Sequence, residues 1–277
     1  MTTSTFRIGG VREVGRLGFG AMHLTTAPGP ARDRSIAVAR RAVELGVTLI
    51  DTAHLYGWGA NEDLLAEALH PYPAEVLIAT KVGVAPPDGV RETRYCGSAE
   101  FLRSQVDEGL RRLKVDRLEL LQLHRIDPGV PIADQVGTLR ELQEEGKIGH
   151  LGLSEVTVEE LAEARRHATI ATVQNRYSIV DREHEAVLDA CAEAGIGFLP
   201  WRPVLPGASA GGEIAAVAAE VGATAAQVSL AWLLTRAPVV LPIPGTGSLD
   251  HLAENVAAAE VRLSAEQLAR LGSAGLS

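Results

Sequence analysis

The sequence predicts an α/β fold, a (β/α)8 TIM barrel with an N-terminal β-hairpin at the barrel bottom, and three observations carry that expectation. Apolar strand-like runs alternate with amphipathic helical stretches along all 277 residues, the pattern of a parallel sheet with crossover helices. Eight such runs fit, at 17–20, 48–51, 76–81, 118–124, 150–154, 171–175, 197–201 and 239–243. The helices also repeat one stop signal, a glycine just past the last turn, at Leu45-Gly46, Glu145-Gly146, Ala194-Gly195 and Val221-Gly222. Repetition of one unit argues for a single domain over residues 1–277.

Taken in order, the elements support this reading. Thr5 to Val14 holds two short runs around Gly9-Gly10, a hairpin able to plug a barrel. Residues 34–45 show the helical pattern of the first crossover, ended by Gly46. Gly/Pro-rich stretches at 28–30, 86–89 and 203–212 all follow strand ends, so they read as loops on one rim rather than domain linkers. In a barrel of this type the active site lies at the C-terminal strand ends.

Bulk properties narrow the function. The net charge of −9, with acids and bases interspersed, supplies no basic stripe for a phosphate backbone, so nucleic acid is not an expected partner. Cys96 and Cys191 stand far apart and outside any metal-ligand spacing, so they read as buried or incidental thiols and no metal is expected. The N-terminal segment lacks a basic and apolar leader, and no apolar run approaches the ~18 residues of a membrane span. A cytoplasmic protein without a membrane partner is the expectation.

Three strand ends carry polar groups. The run 48–51 ends in Asp51 and leads to Tyr56 within Asp51-Thr52-Ala53-His54-Leu55-Tyr56-Gly57; the next two run into Lys81 and His124. An acid, a phenol, an amine and an imidazole on one rim can form a proton-transfer site. Carbonyl reduction needs a hydride donor and a group that protonates the developing alkoxide; a tyrosine of pKa about 10 is protonated but weakly acidic. Lys81 is expected to lower that pKa by favouring phenolate, Asp51 to hold Lys81 charged, and His124 to hydrogen-bond the substrate oxygen. The competing reading is a structural Asp51–Lys81 pair with Tyr56 and His124 as satisfied rim residues.

The chain resembles the aldo-keto reductases. Carrying the likeness are Gly18-Phe19-Gly20-Ala21-Met22, the stretch from Asp51 to Gly57, Ala79-Thr80-Lys81, Gln122-Leu123-His124-Arg125, Gly152-Leu153-Ser154, Val173 to Ser178, and IPGTGSLDHLAEN from Ile243 to Asn255. The resemblance implies a catalytic tetrad of Asp51, Tyr56, Lys81 and His124, reducing aldehydes or ketones with a nicotinamide cofactor extended along the rim. Gly20, Met22, Asp51 and Ile243 fall among the implied cofactor positions. Ser154 and Gln174 match the residues that hold the carboxamide, and Trp201 the aromatic stacked on the nicotinamide. The family's third carboxamide partner is an Asn, where this chain has Glu155.

The loop Gly245-Thr246-Gly247-Ser248 is expected to present backbone N–H groups and hydroxyls to a phosphate at a helix N-terminus. Glu254 and Asn255 match adenine-contacting residues. Many relatives grip the 2′-phosphate with a Lys and an Arg, and Gly245 and His251 stand at those positions. Losing one charge-assisted hydrogen bond costs about 1.5–3 kcal/mol unless another donor replaces it. NADPH remains the expected cofactor, through Thr246, Ser248, the helix end and a protonatable His251, with NADH as the alternative.

The short loop 126–131 and the nearby C-terminus predict an open pocket bounded by Tyr56, Trp58, His124 and the loop 84–97. The cofactor loop, Arg32-Asp33-Arg34 and the short seventh-strand loop resemble a bacterial subgroup that includes pyridoxal reductases, which makes pyridoxal one candidate substrate. Two other classes compete: a cofactor-binding regulatory barrel without turnover, and a lyase or isomerase forming a Schiff base on Lys81.

Overall fold

The computed structural model describes residues 4–86, 94–204 and 212–273. Strands β1 (Thr5–Ile8) and β2 (Arg12–Gly15) pair antiparallel as the expected hairpin. Its turn uses Gly9 and Gly10 at φ 59° and 78°, the left-handed geometry a tight hairpin requires. Ile8 and Val14 pack against Leu49, Leu77, Leu120, Ala171, Leu199 and Leu241. The hairpin thereby closes the barrel bottom, and Arg12 ties it down by donating to the Ala74 carbonyl at 2.6 Å.

Seven parallel strands form the barrel sheet: β3 (Phe19–Gly20), β4 (Leu49–Asp51), β5 (Leu77–Val82), β8 (Leu118–Leu123), β9 (Ile148–Ser154), β10 (Ile170–Gln174) and β11 (Gly197–Phe198). Two short strands, β6 (Val84–Ala85) and β7 (Arg94–Tyr95), pair above β5. The eighth run, 239–243, closes the circle without qualifying as a ladder strand. Phe198 N donates to Val239 O and Leu241 N to Phe198 O, both at 2.8 Å; across the other seam Gly18 N donates to Pro242 O at 2.9 Å and Gly20 N to Pro244 O at 3.1 Å. Pro242 and Pro244 lack the N–H a regular ladder needs, so the seam is one-sided there.

The seam is clasped from below. Arg16 donates to the carbonyls of Val240, Leu234 and Ala237 at 3.2, 2.9 and 2.7 Å, joining the start of the barrel to its last unit. Gly20 is required at the seam, since a Cβ there would stand 2.7 Å from Ile243 O.

The barrel strands are buried on both faces, as a parallel sheet covered by helices must be. Helices α1 (Pro30–Glu44), α2 (Ala60–Leu69), α3 (Ala99–Leu113), α4 (Ile132–Glu144), α5 (Val158–Ala164), α6 (Glu185–Ala194), α7 (Gly212–Val221), α8 (Ala225–Arg236), α9 (Leu249–Ala257) and α10 (Ala265–Ser273) supply that cover. The four expected stop glycines all take positive φ, at 86°, 84°, 67° and 64° for Gly46, Gly146, Gly195 and Gly222. At the other ends, Thr157 with Glu160 and Thr224 with Gln227 form capping boxes that start α5 and α8. Arg32, Asp33 and Arg34 lie in the first turns of α1, where Arg32 pairs with Glu67. Residues 87–93 and 205–211 lie outside the described residues, so the loops 84–97 and 203–212 are described only at their ends.

Candidate active site

Parallel register brings the strand ends level: Asp51 lies beside Ala79, and Lys81 beside Gln122. The Lys81 side chain is fully buried. Its ammonium donates to Asp51 Oδ2 at 2.7 Å, to the Thr52 carbonyl at 2.7 Å and to Tyr56 Oη at 3.5 Å. Three donors thus meet three oxygens. His124, held by its N–H on Val82 O at 2.8 Å, sets its ring edge-on to Tyr56 at 6.2 Å between centroids. The four residues singled out from the sequence therefore stand together at the C-terminal mouth.

Electrostatics here differ from the expectation in one respect. Burial raises the Tyr56 pKa, and the lowering by Lys81 does not overcome it, so the net direction is up rather than down. Lys81 acts against the desolvation instead of producing an acidic phenol. Burial also disfavours the Lys81 charge, but Asp51 and Tyr56 outweigh it and hold the ammonium protonated. For His124, burial first and then Lys81 and Arg125 push the pKa well below its ordinary value. The imidazole is neutral at pH 7, and its Nδ1 is buried without a hydrogen-bond partner among the described residues.

A network of charges around the buried Glu62, with no counterpart in the sequence motifs, steadies the loop carrying Tyr56. Arg112 on α3 donates to His54 Nδ1 at 2.7 Å, to Glu108 Oε2 at 2.5 Å and to the buried Glu62 Oε2 at 3.5 Å. Arginine only donates, so His54 Nδ1 accepts and its proton sits on Nε2. The other Glu62 oxygen accepts from Thr80, next to Lys81, at 2.6 Å. Thr52 donates to Asn61, whose amide donates to Ala21 O, so the loops after β3 and β4 are stitched together. In the sequence Glu62 shows only as an acid in the first turn of a helix, which carries no sign that it is buried. Arg125, quoted in a motif but given no role, donates to Ser154 Oγ at 3.2 Å.

Along the rim toward the later strands, the candidate cofactor residues follow in order. Ser154 and Gln174 end β9 and β10 and are buried. Gln174 Nε2 donates to Asp51 Oδ1 at 2.8 Å, so part of its amide serves the acid. Glu155, in place of the family's Asn, accepts from Trp201 Nε1 and from Arg176 N. Trp201 follows β11, half-buried against the cluster that fills the barrel interior. Met22 and Trp58 lie exposed at 46% and 38% beside this mouth and in the Tyr56 loop.

The loop expected to meet a phosphate has an open edge. Ser248 caps α9 by accepting from His251 N, and Ser248 N donates to Thr246 Oγ1 at 3.1 Å. His251 is exposed on the first turn of α9. Gly245 has a steric reason to be glycine: a Cβ would meet Gly20 O at 2.9 Å and His23 Cδ2 at 3.0 Å. Glu254 accepts from Thr224 Oγ1 at 2.5 Å and is thereby tied to α8, while Asn255 stays partly exposed beside it. A separate cavity of about 790 Å3 lies at the barrel's opposite end, lined by Arg12, Tyr72, Arg117, Glu119 and His150, and shares no residue with this rim. No cluster able to hold a metal ion occurs among the described residues. No single described helix is long and apolar enough to cross a membrane.

Fold and sequence define the class, an oxidoreductase on a (β/α)8 barrel. The profile of the aldo/keto reductase family matches residues 16–275, and the chain belongs to that family. It is 44% identical to an uncharacterized oxidoreductase of Schizosaccharomyces pombe over 271 residues, covering 95% of this chain and 88% of that one. It is 40% identical to pyridoxine 4-dehydrogenase of Escherichia coli over 284 residues, covering 98% of each chain. Among solved structures, an aldo-keto reductase from Klebsiella pneumoniae in complex with NADPH superposes with a TM-score of 0.85 at 28% identity, covering 98% of this chain and 94% of that one.

Proposed function

We propose that this chain, as one barrel unit over residues 1–277, reversibly reduces aldehydes and ketones to alcohols with NADPH. The observation that carries the reading is the buried ammonium of Lys81, 2.7 Å from Asp51 and 3.5 Å from the Tyr56 hydroxyl. NADPH, when bound, supplies the hydride. Tyr56 gives its phenolic proton to the carbonyl oxygen as negative charge develops there. Lys81 is already charged beside it and stabilises the phenolate that remains, and Asp51 keeps that ammonium fixed. Neutral His124 orients the carbonyl oxygen through a hydrogen bond, so the proton comes from Tyr56 and not from an imidazolium.

The residues present suit the cofactor. Trp201 offers a ring face at the mouth, Ser154 a hydroxyl near Arg125, and the start of α9 two hydroxyls, backbone N–H groups and an imidazole. Gly20, Met22, Gln174, Ile243, Gly245 and Asn255 complete the track. Glu254, engaged by Thr224, acts there by shaping the edge. A Schiff base on Lys81 is disfavoured, since its amine is buried, protonated and committed to three oxygens.

An aromatic aldehyde of the pyridoxal type is the favoured substrate, supported by 40% identity to pyridoxine 4-dehydrogenase over 98% of each chain. The exposed Trp58 ring, near Tyr56, suits such a flat molecule. A panel of aldehydes and ketones, pyridoxal included, run with NADPH and NADH against wild type and Tyr56→Phe tests the reading. Turnover lost in Tyr56→Phe with cofactor affinity retained is the expected result. Equal turnover in both proteins overturns it.

A further inference from the structure

Glu155 ties three consecutive strand ends together. Its N–H donates to Gln174 O at 3.0 Å, and its Oε1 accepts from Arg176 N at 2.7 Å and from the Trp201 indole N–H at 2.5 Å. The residue holds φ at 55°, a left-handed conformation uncommon outside glycine and kept only where the surroundings fix it. Neighbouring bonds complete the frame: Trp201 N donates to Asn175 O at 3.2 Å, and the Asn175 amide both accepts from Val156 N and donates to Val156 O.

A carboxylate accepts and cannot donate. At the position after Ser154 it therefore does not replace an amide donor toward a carboxamide, and its bound oxygen is already taken by two donors. Its chemical effect falls on the indole instead. An anion on the N–H edge pushes electron density toward the ring face, which strengthens attraction for a cation above it. The ring already draws one: the Arg202 guanidinium lies 5.4 Å from the Trp201 centroid.

We propose that Glu155 is a positioning residue that fixes the Trp201 ring and makes its face prefer the cationic oxidised nicotinamide over the neutral reduced one. The inference rests on the proposed seating of the nicotinamide on Trp201. Favouring the oxidised form relative to the reduced form makes bound NADPH a stronger hydride donor, at the cost of holding NADP+ longer.

The test compares dissociation constants of NADP+ and NADPH, by calorimetry, for wild type, Glu155→Gln, Trp201→Phe and Trp201→Ala. Gln keeps the acceptor oxygen and removes the charge. Glu155→Gln is expected to weaken NADP+ by about threefold to tenfold while NADPH changes less than about twofold. In Trp201→Phe, which lacks the N–H, adding Glu155→Gln is expected to leave the ratio unchanged. A Glu155→Gln that weakens both forms equally, or neither, overturns the inference while leaving the seating intact. Affinities unmoved in Trp201→Ala overturn the seating and this inference with it.

Discussion

The buried Lys81–Asp51 end of the mouth and the open rim at the start of α9 are built on opposite terms. At the first, Lys81 and Asp51 are buried and hydrogen-bonded, and a second layer of Glu62, Arg112 and Asn61 backs the loop above them. At the second, His251 is exposed, Ser248 and Thr246 bond mainly to their own loop, and Gly245 brings no side chain. Burial makes the first region intolerant of charge changes, because an unpaired ion there has no water to turn to. The open rim can exchange one donor for another at small cost. The buried pair is thus the fixed part of this architecture, and the open rim its adjustable part.

The contrast can be broken or sharpened by experiment. Tyr56→Phe is expected to cut kcat by about 10²–10⁴-fold, the usual contribution of a positioned general acid, with NADPH affinity retained by titration. Lys81→Met leaves Asp51 buried without its cation and should lower unfolding stability by about 3–5 kcal/mol in urea titration. A loss below that of an ordinary surface substitution would show that the pair is not sealed from water. On the rim, His251→Arg should raise the preference for NADPH over NADH by about tenfold or more, the worth of one charge-assisted hydrogen bond, without altering stability.

The smallest effect is one of pH. The folded His124 pKa lies below its unfolded value of about 6.5, so folding releases protons at mildly acidic pH. Its favourable neutral state is fully present above that unfolded value and becomes a loss of stability as pH falls toward the folded pKa. His124→Gln should remove up to about 1.4 kcal/mol per pH unit from that slope, read as the shift of urea midpoints between pH 7 and 5.5. His54 and His150 are shifted the same way by burial, so the slope should shrink rather than vanish. Equal slopes in wild type and variant would mean that His124 is solvated.

Much of the fold is legible in the sequence because apolar runs ending in single polar residues mark barrel strands and their C-terminal ends at once. Asp51, Lys81 and His124 stand at such ends, Tyr56 follows Asp51 closely, and the structure brings the four together. The closing run is legible from its apolar residues, although Pro242 and Pro244 leave it without a regular ladder. Less visible were effects that depend on three-dimensional neighbours. Whether Lys81 or burial governs Tyr56 is a balance of opposing energies, and pattern cannot weigh it. Arg112 and Glu62 look like ordinary helix-surface charges until α2 and α3 are placed beside β5. Glu155 read as a lost carboxamide partner, since its bond to Trp201 spans 46 positions.

The seam between Gly20 and Gly245 has a consequence for the order in which the protein becomes competent. Its two sides come from the ends of the chain, 225 positions apart, and are joined by Gly20 N on Pro244 O and by the Arg16 clasp. During synthesis residues 51 to 124 emerge long before the run 239–247 that completes the wall. Contacts of such long sequence separation form late in folding. Asp51 and Lys81 are therefore made well before the wall around them can close.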